Sequence, residues 1–249
     1  MAGPHILVAF PTRTPKTGCS IAHLPPKLQS LSLCCCPHQS EKLLPAGIVT
    51  YPHRYEYLVL DSSEMLDILR RCRTPQLARL ELEYNAGETE HDLLEHLTVA
   101  FPRLTSLQIH RYRNTGTADH QVPHVDTGGM TIDDVDFKAV ESFGRSLAPL
   151  ACLHTVNAYL DCEDTRQPDF HSRPRIGGFQ YSNQDVDRFT ATLHKAANVL
   201  ACAVGPSVES VHLRRPRNVE GYEWLAFRVV RGSFGVEAKC EEDWRVSSR

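Results

Sequence analysis

Apolar and polar positions along the chain form a repeating pattern. In four places a proline is followed by apolar residues in the order Pro-x-apolar-x-x-apolar-x-apolar. The apolar positions of these copies are Leu28, Leu31 and Leu33; Leu77, Leu80 and Leu82; Leu104, Leu107 and Ile109; and Val208, Val211 and Leu213. Two weaker copies lack the proline at that position and use Tyr55, Leu58 and Leu60, and Leu153, Val156 and Ala158. The alternation within each copy predicts a short strand with one buried face.

The spacing of the copies indicates a repeat architecture. Their first apolar residues are separated by 27, 22, 27, 49 and 55 residues. The first three intervals lie in or near the period of leucine-rich repeats, and the last two imply long insertions. Two copies continue into the consensus of that repeat, because Asn85 follows Leu82 and Cys36 follows Leu33 at its Asn/Cys position. A side chain at that position is expected to turn inward and bond the backbone of a neighbouring turn.

Between the strands, amphipathic segments carry the signature of helix N-termini. Each begins with a capping residue that is followed by an acid three residues later: Asp61 with Glu64, Thr89 with Asp92, Thr131 with Asp134, and Ser182 with Asp185. The first residue can accept a hydrogen bond from an orphan backbone N–H, and the acid suits the positive end of the helix. The proline before most strands is predicted to stop the helix and hold the chain extended. The predicted unit is therefore helix, proline, strand and turn.

Stacking of these units predicts an α/β fold, an irregular leucine-rich-repeat solenoid in which short parallel strands alternate with helices. Such a unit buries its apolar face only against its neighbours, so the strands are expected to line up in one curved sheet. Trp224, Phe227 and Val229 are expected to continue the extended pattern and to cover the last repeat.

The domain organisation follows from composition along the chain. The repeat domain is expected over residues 24–232, with loop-rich insertions near 114–130 and 161–183. Residues 1–23 lack periodicity and are expected to form a poorly ordered tail, and residues 233–249 a polar tail.

A binding surface is predicted at the strand positions between the inward-pointing apolar residues, which face the open, concave side of a stacked array. The first predicted row contains Ser32, Val59, Glu81, Gln108, Asn157 and His212. The second contains Glu83, His110, Tyr159 and Arg214. Within these rows, the residues expected to contact a protein partner are Glu81, Glu83, Gln108, His110, Asn157, Tyr159, His212 and Arg214. Tyr and Arg are residue types that tend to dominate interface energies.

A basic group follows the last repeat strand. Arg214, Arg215 and Arg217 could form a rim for an acidic partner.

Composition and charge narrow the class of function. Hydrophobic residues make up 41% of the 249 positions and charged residues 23%, as in ordinary globular proteins. The net charge of -3 argues against a general nucleic-acid binder, which carries a basic excess. We expect no membrane span, because no stretch approaches the roughly 18 apolar residues required. The nine cysteines are odd in number and unevenly spaced, which favours reduced thiols and an intracellular location, cytoplasmic or nuclear.

Three segments resemble the repeat half of fungal F-box and leucine-rich-repeat proteins. These are LAPLACLHTV, LHKAANVLACAVGPSVESVHLRRP and the final Trp-x-x-Phe-x-Val-Val-Arg, and with the irregular repeats the resemblance covers about residues 24–232. In that family an F-box recruits a ubiquitin-ligase adaptor and the repeats hold the substrate. Here no F-box is detected, since Leu24-Pro25-Pro26-Lys27-Leu28 continues into a repeat strand. The resemblance implies a protein-binding module, with substrate recognition and a ligase adaptor as its extension.

Two alternatives stay open. One is an enzyme with a site formed by the insertion loops, where His120, His124 and Asp126 are residue types that bind metals. The other is a degenerate family remnant without function. The chain carries no phosphate-binding fingerprint and no nucleophile elbow. We therefore expect a protein-binding module without catalytic residues, cofactor or metal.

Overall fold

The computed structural model describes residues 5–8, 24–34, 59–112, 137–160, 183–216, 222–233 and 235–240. Within these ranges the chain is mixed α/β and forms one sheet. Its strands are β1 His5–Val8, β2 Ser30–Leu33, β3 Leu60–Asp61, β4 Arg79–Asn85, β5 Ser106–Tyr112, β6 Thr155–Leu160, β7 Ser210–Pro216, β8 Tyr222–Gly232 and β9 Gly235–Cys240. Its helices are α1 Ser62–Arg70, α2 Glu90–Ala100, α3 Lys138–Leu147 and α4 Asn183–Ala203.

The strands follow one another across the sheet almost in chain order. The order is β1-β2-β4-β5-β6-β7-β8-β9, and the short β3 pairs with β4 off this path. All pairs up to β7 are parallel, and β8 and β9 add antiparallel. A helix follows β3, β4, β5 and β6 in the chain, which makes the connections that parallel neighbours require.

The core lies between the helices and one face of the sheet. Five copies of the apolar pattern supply it from the strands, and every apolar residue in them is at most 2% exposed. The five copies begin at Leu28, Leu77, Leu104, Leu153 and Val208. From the helices, buried side chains such as Met65, Leu93, Phe143 and Leu200 complete the same cluster. Since successive strand side chains alternate between faces, the residues between the apolar positions point away from the helices.

The proline of the repeat has a different role from the one predicted. In each full copy it is the second residue of a four-residue turn, which the N–H of the first apolar residue closes. The Leu77 N–H donates to the Thr74 carbonyl at 3.0 Å, and the Leu104 N–H donates to the Phe101 carbonyl at 3.0 Å. Proline suits this position because its fixed φ matches that of the second residue in a type I or II turn. The copy at Leu153 keeps the turn, with a 3.1 Å bond to Leu150, although Ala151 replaces the proline.

A second backbone contact repeats from one strand to the next. The carbonyl after the first apolar residue accepts two N–H groups from the following copy, so it joins consecutive turns. The Gln29 carbonyl accepts from Ala78 and Arg79, both at 2.9 Å, and the Ala78 carbonyl accepts from Thr105 and Ser106 at 2.8 and 3.0 Å. The Thr105 and His154 carbonyls make the same paired bonds to the next strands. This series sets the parallel register before each strand begins.

The weak copy at Tyr55, Leu58 and Leu60 is not a strand of the main series. Leu60 lies in the two-residue β3, and β2 pairs directly with β4, while Tyr55 and Leu58 lie outside the described residues. Paired side chains on consecutive strands of the series are therefore 49, 27, 49 and 55 residues apart. Three of these intervals are those predicted, and the first differs because the interval of 49 residues replaces the predicted intervals of 27 and 22.

Two of the predicted helix starts lie within the described residues, and they differ. Asp61 caps α1, and its N–H donates to the Glu64 carboxylate at 3.0 Å. Thr89 precedes α2 without a side-chain capping bond, and its hydroxyl lies 2.9 Å from that of Ser62 at the start of α1. The Thr131, Asp134 and Ser182 positions lie outside the described residues.

Asn85 makes the type of bond predicted for the end of the repeat motif. Its amide nitrogen donates to the carbonyl of Val59 at 3.0 Å and ties the end of β4 to the segment before α1. The matching Cys36 lies outside the described residues.

Both ends of the sheet differ from the expected tails. His5–Val8 form β1, which pairs with β2, within the 1–23 range predicted to lack order. Gly235–Cys240 form β9, which pairs with β8, within the predicted polar tail 233–249. An antiparallel hairpin therefore ends the sheet.

The hairpin is fixed to the last repeat through side-chain bonds to the backbone. Arg231 donates to the carbonyls of Val208 and Gly205 at 2.6 and 3.0 Å. The Asn198 side chain of α4 accepts the N–H of Ala238 at 2.7 Å, and the Cys202 thiol donates to the Val236 carbonyl. Backbone N–H and carbonyl groups of β9 are thus hydrogen-bonded to side chains of α4.

Helices α3 and α4 pack closely at Gly144, which has no side chain. A Cβ at Gly144 would lie 2.6 Å from the Cβ of Ala203 and 3.0 Å from Leu200 Cδ1. We expect Gly144→Ala to lower the free energy of unfolding by about 1–3 kcal/mol, because overpacking outweighs the better helix propensity of alanine. Urea denaturation of the full chain measures the change.

Two variants serve as controls. Gly232→Ala should change stability by less than about 0.5 kcal/mol, because no atom lies within 4 Å of its added Cβ. Ala203→Gly combined with Gly144→Ala should recover part of the loss by removing the clashing atom. An unchanged unfolding midpoint for Gly144→Ala alone would contradict the close approach.

Candidate binding face

The strand face opposite the helices carries three rows of side chains, which we call together the open face. The hydroxyl row contains Ser30, Arg79, Ser106, Thr155, Ser210 and Arg228. The middle row contains Ser32, Glu81, Gln108, Asn157 and His212. The aromatic row contains Glu83, His110, Tyr159, Arg214 and Trp224. The eight residues chosen from the sequence fall in the middle and aromatic rows, in the register predicted.

Val59 is the exception in the predicted first row. The register pairs Leu60 with Tyr84, three positions beyond Glu81 of the middle row, so Val59 is not aligned with Glu81. The sequence prediction was wrong there because it treated the weak copy at Tyr55 as a strand of the main series.

The middle row is joined by hydrogen bonds from strand to strand. The Ser32 hydroxyl donates to one oxygen of Glu81 at 2.7 Å, and the Gln108 amide donates to the other at 2.5 Å. The Asn157 amide donates in turn to the Gln108 oxygen at 3.3 Å. Glu81 therefore accepts hydrogen bonds from both neighbouring strands, in a series of bonded side chains that spans four strands.

One side-chain oxygen of the middle row accepts no hydrogen bond. The Asn157 side-chain oxygen is buried and has no hydrogen-bond partner among the residues described. A buried carbonyl oxygen without a donor costs about 1–3 kcal/mol. The middle row thus contains one buried acceptor that no donor among the described residues satisfies.

The aromatic row is buried, whereas the sequence analysis placed it on an open surface. Glu83 and His110 are each 4% exposed and Tyr159 is 9% exposed. The Trp224 ring stacks edge-to-face on His110 with centroids 5.8 Å apart, and the Arg214 guanidinium lies 5.7 Å from the centre of the Tyr159 ring. Large side chains on neighbouring strands cover each other here, which a one-dimensional pattern does not reveal.

Polar partners offset the cost of burying this row. The Tyr112 hydroxyl donates to Glu83 at 3.0 Å, and Arg214 Nη1 lies 3.1 Å from His110 Nδ1. His110 Nε2 lies 3.0 Å from the Gln108 amide and 3.8 Å from Glu81 Oε1, which links the aromatic and middle rows. Burial and the nearby Glu83 carboxylate raise the pKa of Tyr112 well above its usual range, so it stays a donor.

Sequence reasoning missed several members of the open face. Tyr112 follows the predicted β5 motif, and Trp224 was predicted only to continue an extended pattern with Phe227 and Val229 that covers the last repeat. Phe227 and Val229 are buried with the core, but Trp224 has the opposite parity in β8 and reaches His110. Strict alternation along WLAFRVV was the available signal.

The structure describes the side chain of one member of the predicted basic rim, Arg214. Arg214 is engaged with His110 and Tyr159 instead of forming a free edge. The side chain of Arg215 and the whole of Arg217 lie outside what the structure describes.

A separate ionic group joins the ends of β4 and β5 to the start of α2. Arg111 bonds both oxygens of Glu90, at 2.7 and 3.0 Å, and both side chains are 18% exposed. The Tyr84 hydroxyl donates to the same carboxylate at 2.9 Å. Burial, followed by Glu90, raises the pKa of Tyr84 far above its usual range, so this group is structural at neutral pH.

Buried thiols add no reactive centre. Burial, followed by the Glu81 and Glu83 charges, raises the pKa of Cys34 far above its usual range, and burial raises the pKa of Cys72 to about 11. A thiol that stays protonated is a poor nucleophile and a poor metal ligand.

The insertion-loop candidates for an enzyme site, His120, His124 and Asp126, lie outside the described residues. Within the described ranges, no group of three or more His, Cys, Asp or Glu side chains is arranged to hold a metal ion. No helix described is long and apolar enough to cross a bilayer.

Comparison with protein-family models, with curated proteins and with solved structures returned no significant match.

The Glu90–Arg111 pair gives a stability prediction. Glu90→Ala should lower the free energy of unfolding by about 3 kcal/mol, because it leaves a largely buried guanidinium without its carboxylate. Urea denaturation of Glu90→Ala, Arg111→Met and the double variant measures the coupling. The double variant should lose less free energy of unfolding than the sum of the losses in the two single variants. Additive losses would show that the pair is not coupled.

Thiol labelling tests the burial of the cysteines. Iodoacetamide labelling of native protein at pH 8, followed by peptide mass spectrometry, should modify exposed Cys152 much faster than Cys34 or Cys72. Because the thiolate is the reactive form and the Cys72 pKa is about 11, labelling of Cys72 should rise about tenfold per pH unit up to that value. Equal rates at Cys72 and Cys152 in folded protein at pH 8 would contradict this environment.

Proposed function

We propose that the chain is a protein-binding module, an irregular leucine-rich-repeat solenoid whose open face holds the partner. The observation that carries this proposal is the alignment of polar and aromatic side chains across consecutive strands, on the face opposite the helices. The residues proposed to form the binding face, by direct contact or by support, are the eight chosen from the sequence, with Tyr112 and Trp224 added. The nearly sequential strand order supports the solenoid because each repeat contacts mainly its neighbours.

The buried aromatic row favours binding through preorganisation. Side chains that are already held by Glu83, Tyr112 and Arg214 lose little conformational freedom when a partner arrives. The partly exposed side chains of the middle row, Glu81, Gln108, Asn157 and His212, then supply the contact area. We assign the direct contacts to the middle row and the support to the aromatic row.

The second part of the proposal is substrate recognition of the kind made by F-box receptors. It rests on the resemblance of the repeat segments alone, because no F-box was detected. A ligase adaptor would therefore reach this chain through another protein or through a separate surface.

Affinity purification of the tagged chain from its native cell, followed by mass spectrometry, tests the proposal. One dominant protein should be recovered with the unaltered chain, and His212→Ala with Asn157→Ala should reduce its recovery severalfold. His91→Ala is the matched control, because His91 is exposed on α2 at the other side of the sheet. Circular dichroism and the urea midpoint establish that the variants are folded.

The outcomes separate the parts of the proposal. Recovery of a ligase adaptor supports the receptor function, and recovery of a partner without an adaptor leaves only the binding module. Recovery of chaperones alone, or equal loss with His91→Ala, contradicts binding by the open face.

A further inference from the structure

The hydroxyl row has the chemistry of an anion-binding strip. It runs along the start of the strands, where Ser106, Thr155 and Ser210 lie side by side on β5, β6 and β7. Arg79 on β4 and Arg228 on β8 flank these hydroxyls, and both arginines are exposed. Hydroxyl and guanidinium groups are the usual protein donors to carboxylate oxygens.

Arg79 strengthens this assignment because its guanidinium has no hydrogen bond or ion pair with any residue described. The carboxylates of the open face lie elsewhere and are engaged: Glu81 accepts from Ser32 and Gln108, and Glu83 accepts from Tyr112. Negative charge on this face is therefore used internally in the middle and aromatic rows, whereas the charge of Arg79 is exposed in the hydroxyl row.

We propose that the hydroxyl row binds an extended acidic segment of a protein partner, which crosses the strands from Arg79 to Arg228. This inference rests on the proposed function and names the chemistry of the partner. Four strand spacings separate the two arginines, and at about 4.8 Å each this gives a span of about 19 Å. An extended chain advances about 3.3 Å per residue, so about six residues bridge the two positions. Acidic side chains at both ends of the segment meet the arginines, and the residues between them meet the hydroxyls.

Two peptides of identical composition test the spacing. The first is fluorescein-labelled Glu-Glu-Gly-Ser-Gly-Ser-Glu-Glu, with acids at both ends. The second is Gly-Ser-Glu-Glu-Glu-Glu-Gly-Ser, with the same charge in the middle. Fluorescence anisotropy with the full chain at low salt should give a Kd for the first peptide several times lower than for the second.

Substitutions locate the contact. Arg79→Ala and Arg228→Ala should each weaken binding of the first peptide about three- to fivefold, as expected for a solvent-exposed ion pair. Arg145→Ala removes an equal charge from α3, on the helix side, and should leave the Kd unchanged. All three positions are exposed, so the variants are expected to fold, and the urea midpoint checks this.

Four results would overturn the inference. Equal affinity for the two peptides, or an equal effect of Arg145→Ala, would mean that only overall charge matters. Binding that appears only when phosphoserine replaces the glutamates would assign the strip to a phosphorylated partner instead. If a partner is recovered from cells and binds Arg79→Glu with Arg228→Glu as tightly as the unaltered chain, this inference fails while the proposed function stands.

Discussion

The paired hydrogen bond at each turn is the contact on which the rest of the structure depends. One carbonyl after the first apolar residue of a repeat accepts two N–H groups from the next repeat, at Gln29, Ala78, Thr105 and His154. This bond fixes which residue of one strand lies beside which residue of the next. A slip of one residue would move every leucine from the core to the open face and every polar side chain into the core. The rows of the open face therefore follow from backbone contacts made before the strands begin.

Irregular spacing does not disturb this arrangement. Consecutive paired positions lie 49, 27, 49 and 55 residues apart, yet the turn, the paired bond and the three apolar positions recur in each copy. The cost of closing a loop grows only slowly with its length, so long insertions between repeats add little to the entropy of folding. What must be kept is the short segment that makes the turn and the strand.

The sequence predicted those features that depend on local alternation and missed those that depend on three-dimensional neighbours. The α/β arrangement, the strands at five of the six copies and the rows through Glu81 and Glu83 could be predicted, because they follow from a period of two. The copy at Tyr55 has the same internal spacing as the others, but β2 pairs directly with β4, so this copy does not supply a strand between them. Order at His5–Val8 and Gly235–Cys240 was missed because a short strand gains its stability from its partner strand and not from its own composition.

The burial of the aromatic row could not be predicted either, and it changes how the open face is understood. Four of the eight residues selected as contacts lie in a row where Trp224 and Arg214 contact His110 and the Tyr112 hydroxyl donates to Glu83. Substituting Glu83 or His110 would therefore disturb folding as well as binding, and loss of a partner in such variants would not locate an interface. An exposed residue such as Arg79 separates the two effects, because a side chain that contacts mainly solvent in the free protein adds little to its stability.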